Sequence, residues 1–373
     1  MNKSINLIES FSEGKVKGKN DDALYFGENF VAVIDGVSHK SSVMVNGEEV
    51  KIANIIFEAL KKIDEKNMPV SDENNGNSDN ESKKITFENM VKWINNYIKN
   101  YLIEHGLESE VGKMEATAAI YSKYHNQIWI VGDCRAIYDG TIVLNPLKID
   151  DIYIKVRNLL IAELQRLGYK EAALLKRDIA KEIIEDPKLL DKYFGEEAAK
   201  IEYDWKQIIV KALWESGFLG KDSLEFSEDK IDKYIEMYIN PRNLQKMVKN
   251  IGKILGGYGY SVFNGRDTDL KNCKVVDLPE GVKNIILSTD GFPIDALQEG
   301  GIEAAKEARH GRAAEDPLSI GVNSATHSSK FYDGEGTPRS TDDATAVEIE
   351  VTWEQERPNY DNVKEKNKNP EDR

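Results

Sequence analysis

Three pairs of short apolar runs, each pair joined by two to four polar turn residues, constrain this chain more than any other feature. Residues 23–26 and 30–34 flank Gly27-Glu28-Asn29, and residues 116–122 and 127–131 flank Lys123-Tyr124-His125-Asn126. Residues 135–138 and 141–144 flank Asp139-Gly140, the dipeptide favoured by a type I′ hairpin turn. Between the hairpins, Ile52, Ile55, Ile56, Leu60 and Ile63 keep helical spacing. So do Phe87, Met90, Val91, Ile94, Ile98 and Leu102, with Thr86 as N-cap and Gly106 beyond the end. Antiparallel hairpins with amphipathic helices inserted between them predict an α+β fold rather than a βαβ series.

The rest of the chain divides by composition. Residues 148–255 read as a helical block, carried first by Ile152, Val156, Leu159, Leu160, Leu164 and Leu167 and stopped by Gly168. Strands return at residues 258–263, 285–288 and 344–351, the last alternating as a half-exposed strand does. Residues 293–339, rich in Gly, Ser, His and Asp, read as one long irregular stretch. Residues 64–84 and 354–373 are almost wholly polar and are expected to stay disordered, having nothing to bury against the entropy of ordering. The first is no calcium loop, because Asp72, Asn74 and Gly76 do not follow the EF-hand spacing. The expectation is one domain over residues 1–353, with a helical insertion and a free tail.

Charge and cysteine usage exclude several classes. With 50 Lys and Arg against 65 Asp and Glu, the net charge of −15 argues against a phosphate-backbone partner. No run approaches the roughly 20 apolar residues of a spanning helix, and the first residues lack a signal-peptide pattern, so a cytoplasmic protein is expected. Two cysteines, Cys134 and Cys273, support neither a disulfide framework nor a Cys-rich zinc site. No Cys-x5-Arg loop is present for Cys-based phosphate chemistry.

The informative pattern is where the aspartates fall. Asp21-Asp22 precedes the first hairpin, and Asp35-Gly36 ends the apolar run 31–34. Gly132-Asp133 ends 128–131, Asp290-Gly291 ends 285–289, and Asp342-Asp343 precedes 344–347. Two readings meet this pattern. It is either five unrelated loop turns on an acidic chain, or one pocket in which gathered carboxylates are relieved by hard divalent cations such as Mg²⁺ or Mn²⁺. Two such ions about 3.5–4 Å apart, sharing a carboxylate, would activate a water for attack on phosphorus.

In order along the chain, these motifs resemble those of the metal-dependent (type 2C) Ser/Thr protein phosphatases, as a divergent bacterial-type member. The matching runs are Lys17-Gly-Lys-Asn20-Asp21-Asp22-Ala23, Val31-Ala-Val-Ile-Asp35-Gly36 and Glu115-Ala-Thr-Ala118. They continue with Gly132-Asp-Cys-Arg-Ala136, Ser288-Thr-Asp290-Gly291 and Ser340-Thr-Asp342-Asp343-Ala-Thr345. The resemblance implies two antiparallel sheets packed as a sandwich flanked by helices, with two or three Mn²⁺ or Mg²⁺ ions at one edge. It further implies that Asp35 bridges two metals, with the Gly36 carbonyl as a ligand of one and Asp290 and Asp342 on the other. Asp21 and Asp22 would hold metal-bound waters, and Asp133 with Asp290 a third, looser ion. Lys17 stands where the family has a phosphate-binding Arg, keeping the charge but losing the bidentate fork.

Other positions depart from the family. Val37 replaces a usual His, leaving His39, two residues on, as candidate general acid or plain surface residue. Glu115 replaces Gly, Asp343 replaces Asn, and Cys134 replaces Ser, a packing position rather than a nucleophile. The expected function is direct hydrolysis of phosphoserine or phosphothreonine in a phosphorylated protein substrate by a bimetal-activated water. The alternatives are a weak or inactive relative that binds metal or phosphorylated partners, and a two-metal phosphodiesterase or nuclease, against which the net charge counts.

Overall fold

The computed structural model describes residues 3–14, 19–36, 43–66, 85–145, 261–315, 331–332, 338–339 and 343–353. Among these are β1 (Lys3–Glu13), β2 (Ala23–Phe26), β3 (Phe30–Gly36), β4 (Met44–Val45) and β5 (Glu48–Glu49). Next come α1 (Ile52–Lys66), α2 (Phe87–Glu104), β6 (Ala116–Ser122), β7 (Gln127–Val131), β8 (Arg135–Tyr138) and β9 (Thr141–Val143). The C-terminal part supplies β10 (Lys274–Asp277), β11 (Asn284–Ser288), α3 (Ile294–Glu315), β12 (Phe331–Tyr332), β13 (Pro338–Arg339) and β14 (Ala344–Trp353).

Two five-stranded sheets, each antiparallel throughout, carry the fold. One runs β1-β14-β11-β8-β9 and the other β10-β7-β6-β3-β2. Strand alternation sends successive side chains to opposite faces, and here both faces of the inner strands are covered. Val31, Val33, Ala119, Tyr121, Ile128 and Ile130 meet Ile285, Leu287, Val347 and Ile349 between the sheets. Phe30, Ala32, Ile34, Ile120 and Trp129 face the other way, onto Ile56, Leu60, Met90 and Ile94 of α1 and α2. On the far side, Ile137, Ile286, Ala344 and Ala346 pack against Phe292, Leu297 and Ile302 at and within α3. The result is a helix–sheet–sheet–helix sandwich, the α+β architecture expected from the hairpins. No helix among the described residues is long and apolar enough to cross a membrane.

The expected hairpins and both helices form, and Thr86 caps α2 by accepting the Asn89 N–H at 3.3 Å. Four expectations need correction. Residues 294–315 are helical, not irregular; Ile302 and Ala305 continue the buried side set by Ala296 and Leu297. Gly300 and Gly301 leave helical geometry between them and break the period by which the helix would have been read. The long edge strand β1 and the short edge strand β10 were not expected as strands at all. Within the expected strand 258–263, the described residues contribute one bridge, Phe263 to Ala116. The last correction concerns the polar run from residue 64, which does not begin in disorder: α1 continues through Lys66. The helical block 148–255, the remainder of 64–84 and the tail 354–373 lie outside the described residues.

Asp64 explains that helical extension. It is buried, and its carboxylate accepts the Tyr25 hydroxyl at 2.9 Å, the Asn29 N–H at 3.1 Å and the Asn29 side-chain amide at 2.6 Å. The β2–β3 turn is thereby pinned to the last turns of α1. Burial and the Asp64 contact also push the Tyr25 hydroxyl pKa up, keeping it a donor. Replacing Asp64 with Ala strands these donors in the core and is expected to cost about 2–4 kcal/mol in urea denaturation, with Asp64→Asn costing less.

Candidate active site at the carboxylate end of the sandwich

Strand register brings the acidic motifs to one end. Ala23 pairs with Ile34, Asp35 with Thr117, and Ala118 with Val131. The start of β2, the end of β3, the start of β6 and the end of β7 are therefore neighbours in one sheet. In the other, Ser288 pairs with both Ala346 and Arg135, so the end of β11 lies beside the starts of β14 and β8. Asp22, Asp35 and Asp133 thus stand on one sheet, and Asp290 and Asp343 on the other.

Direct contacts join the two sheets at this end. The Asp21 N–H donates to Asp343 Oδ2 at 2.7 Å, and the Thr289 hydroxyl donates to Asp22 Oδ2 at 3.1 Å. Within each sheet, a glycine permits close backbone approach at this end. A β-carbon on Gly36 would overlap the Asp21 carbonyl oxygen, and one on Gly291 would overlap that of Asp343. Gly132 has φ of +88°, and a side chain there would strike Thr117, whose hydroxyl donates to Asp133 Oδ1 at 3.0 Å.

A wider set of hydrogen bonds closes on itself around Asp22. The Asn20 side-chain amide donates to Ser12 Oγ at 2.7 Å, and Ser12 Oγ shares a 2.7 Å bond with Thr345 Oγ1. The Thr345 N–H donates to Thr289 Oγ1 at 2.9 Å, and the Asp22 N–H returns to Asn20 Oδ1 at 3.0 Å. Strands β1, β11 and β14 and the segment before β2 are held together by this ring. A depression of about 440 Å³ lined by Ser12, Asp22, Leu24, Asn54, Phe57 and Glu58 opens beside it.

The end carries its own cation. Lys51, just before α1, donates to the Asn20 carbonyl at 2.6 Å and lies 3.8 Å from Asp21 Oδ1. Neither Lys51 nor Thr289 was singled out from sequence. Nothing around Lys51 marks it, whereas Thr289 sits inside the Ser-Thr-Asp-Gly motif and could have been questioned. Asn145 and Ser261 also reach this end: the Asn145 amide donates to the Gly132 carbonyl at 2.8 Å, and the Ser261 carbonyl lies against Gly132.

Cys134 reports how close the acids come. Its thiol is fully buried and pushed well above the usual range, first by burial, then by Asp35 and Asp133 and more weakly by Asp290. Its hydrogen bond with Thr117, at 3.3 Å, acts the other way. The thiol is protonated and enclosed in the apolar core between the sheets, consistent with the packing reading of Cys134.

Of the residues selected from sequence, Asp21, Asp22, Asp35, Gly36, Asp133 and Asp290 are brought to this end. Lys17, His39 and Asp342 lie outside the described residues. The donors gathered are all oxygen, a chemistry that fits a hard divalent cation. Among the described residues, no group of three His, Cys, Asp or Glu side chains is close enough to hold a metal. Asp22, Asp290 and Asp343 are nonetheless buried carboxylates, 8, 3 and 4% exposed, and buried charge calls for compensation.

Two outcomes are expected from this geometry. Gly36→Ala forces apart two backbones and should lower stability by about 2–4 kcal/mol by urea denaturation. Cys134 should stay unmodified by iodoacetamide at pH 8 in the native protein and become labelled on unfolding in guanidinium, read by peptide mass.

No family model matches the sequence, and no curated protein matches it. Solved structures do match. The Mycobacterium tuberculosis serine/threonine phosphatase PstP/Ppp aligns at 13% identity and TM-score 0.37, covering 93% of this chain and 98% of that one. The catalytic domain of PstP in complex with two manganese ions aligns at 13% identity and TM-score 0.39, covering 94% of this chain and all of that one. PppA, a key regulatory component of T6SS in Pseudomonas aeruginosa, aligns at 11% identity and TM-score 0.38, covering 94% of this chain and all of that one.

Proposed function

We propose that this protein is a metal-dependent phosphatase acting on phosphoserine or phosphothreonine in protein substrates. The observation that supports it most is the meeting of acidic motifs from both sheets at one end of the sandwich, joined through Asp21–Asp343 and Asp22–Thr289.

In this reading Asp35, the Gly36 carbonyl, Asp290 and Asp342 would hold two Mn²⁺ or Mg²⁺ ions, and Asp133 with Asp290 a third. When bound, such ions supply charge neutralisation at the phosphoryl group and activation of a water for direct in-line attack. The chain's own groups orient and screen. Asp21 and Asp22 would accept hydrogen bonds from waters at the site, Lys17 would offer the phosphoryl oxygens a point charge, and His39 is the candidate proton donor to the leaving oxygen. The net charge of −15 weighs against a nucleic-acid substrate.

One further observation favours a second reading. Lys17 and Val37 replace the family's Arg and His, the substitutions expected of a relative that binds phosphorylated partners but turns over slowly. Hydrolysis of p-nitrophenyl phosphate with and without Mn²⁺ decides between them. Turnover that requires Mn²⁺ and falls about 100-fold or more in Asp35→Asn and Asp290→Asn is expected. Unchanged turnover in those variants ends the assignment, and Mn²⁺ uptake by calorimetry without turnover supports the binder.

A further inference from the structure

We propose that Thr289 is a positioning residue whose hydroxyl proton aims the Asp22 carboxylate from the opposite sheet. The inference rests on the phosphatase reading for its consequence, but not for its geometry. Thr289 is fully buried, and its hydroxyl oxygen accepts the Thr345 N–H at 2.9 Å. Its single proton must therefore go to an acceptor, and two stand within reach: Asp22 Oδ2 at 3.1 Å and the Thr345 carbonyl at 3.4 Å. That carbonyl already accepts the Thr289 N–H at 2.9 Å. The carboxylate oxygen is the nearer acceptor and takes the proton.

The consequence is orientation. Asp22 follows a segment tied at its backbone, by the Asp21 N–H on Asp343 Oδ2 across the sheets and by Lys51 on the Asn20 carbonyl. Neither contact fixes the side chain. Thr289 does, because β11 and β14 lock its hydroxyl on the other sheet, and a carboxylate held by one oxygen presents the second in a set direction. A group supported in this way needs no reorientation when a cation and its waters arrive. Loss of such supporting contacts weakens metal binding by about 10–100-fold.

The test uses the full chain with Thr289→Val, which keeps shape and loses the hydroxyl, and Thr289→Ser, which keeps the hydroxyl. In metal-free protein, amide hydrogen exchange by NMR is expected to speed up at Asp22 by about tenfold in the valine variant and to stay near wild type in the serine variant. Titration with Mn²⁺ by calorimetry is expected to show a Kd raised about 10–100-fold by valine and less than about threefold by serine. A folded valine variant with wild-type exchange and wild-type Mn²⁺ affinity overturns the proposal, as does a serine variant as impaired as valine. Should the valine protein not fold, Thr289→Cys replaces it, with intermediate loss expected and wild-type behaviour overturning the role. If wild-type protein takes up no Mn²⁺, the metal reading falls while the exchange measurement still decides for or against Thr289.

Discussion

Negative charge collected at one end of an apolar sandwich is the constraint on which the rest of this structure turns. Asp22, Asp290 and Asp343 are buried there, with Asp35 and Asp133 half-buried beside them. Carboxylates so placed repel one another and lose hydration, and each effect opposes folding. The protein answers with donors held by backbone: the Asp21 N–H, the hydroxyls of Thr117 and Thr289, and the ammonium of Lys51 near Asp21. These are short-range answers to a long-range problem. The three apolar layers hold the acids together, and the acids contribute nothing to that packing.

The same division explains why the glycines sit where they do. Gly36 and Gly291 follow aspartates on opposite sheets, and each lies against a carbonyl of another acidic pair. Within each sheet these glycines allow close backbone approach, and the space between the sheets is bridged at this end by the Thr289 hydroxyl on Asp22. Farther along the strands, Val33, Ala119, Leu287 and Val347 fill the same space with ordinary apolar packing.

Legibility differed sharply between elements. The hairpins β2–β3, β6–β7 and β8–β9 were readable because apolar runs abut turn residues, and α2 because its period and its Thr86 cap agree. Strand β1 was not, because a bulge between Leu7 and Glu9 shifts its phase and leaves Leu7 and Ile8 exposed on a sheet edge. Helix α3 was hidden by Gly300-Gly301, and β10 by its exposed, edge position. Asp64 looked like the start of a polar loop, since nothing local reveals that Tyr25 and Asn29, far back in the chain, will bind it.

By itself the amino-acid order determined which strands end in carboxylates, that no thiol chemistry was on offer, and that hairpins would alternate with amphipathic helices. Those are properties of neighbours, set by period, turn chemistry and residue type. Only the tertiary structure decided that Asp22 and Asp343 would be tied to Thr289 and Asp21, that Lys51 would enter the acidic end, and that Cys134 would be sealed in the core between the sheets. Such pairings depend on the register of two sheets across a packed core, and register is an outcome of the whole fold that no local stretch encodes.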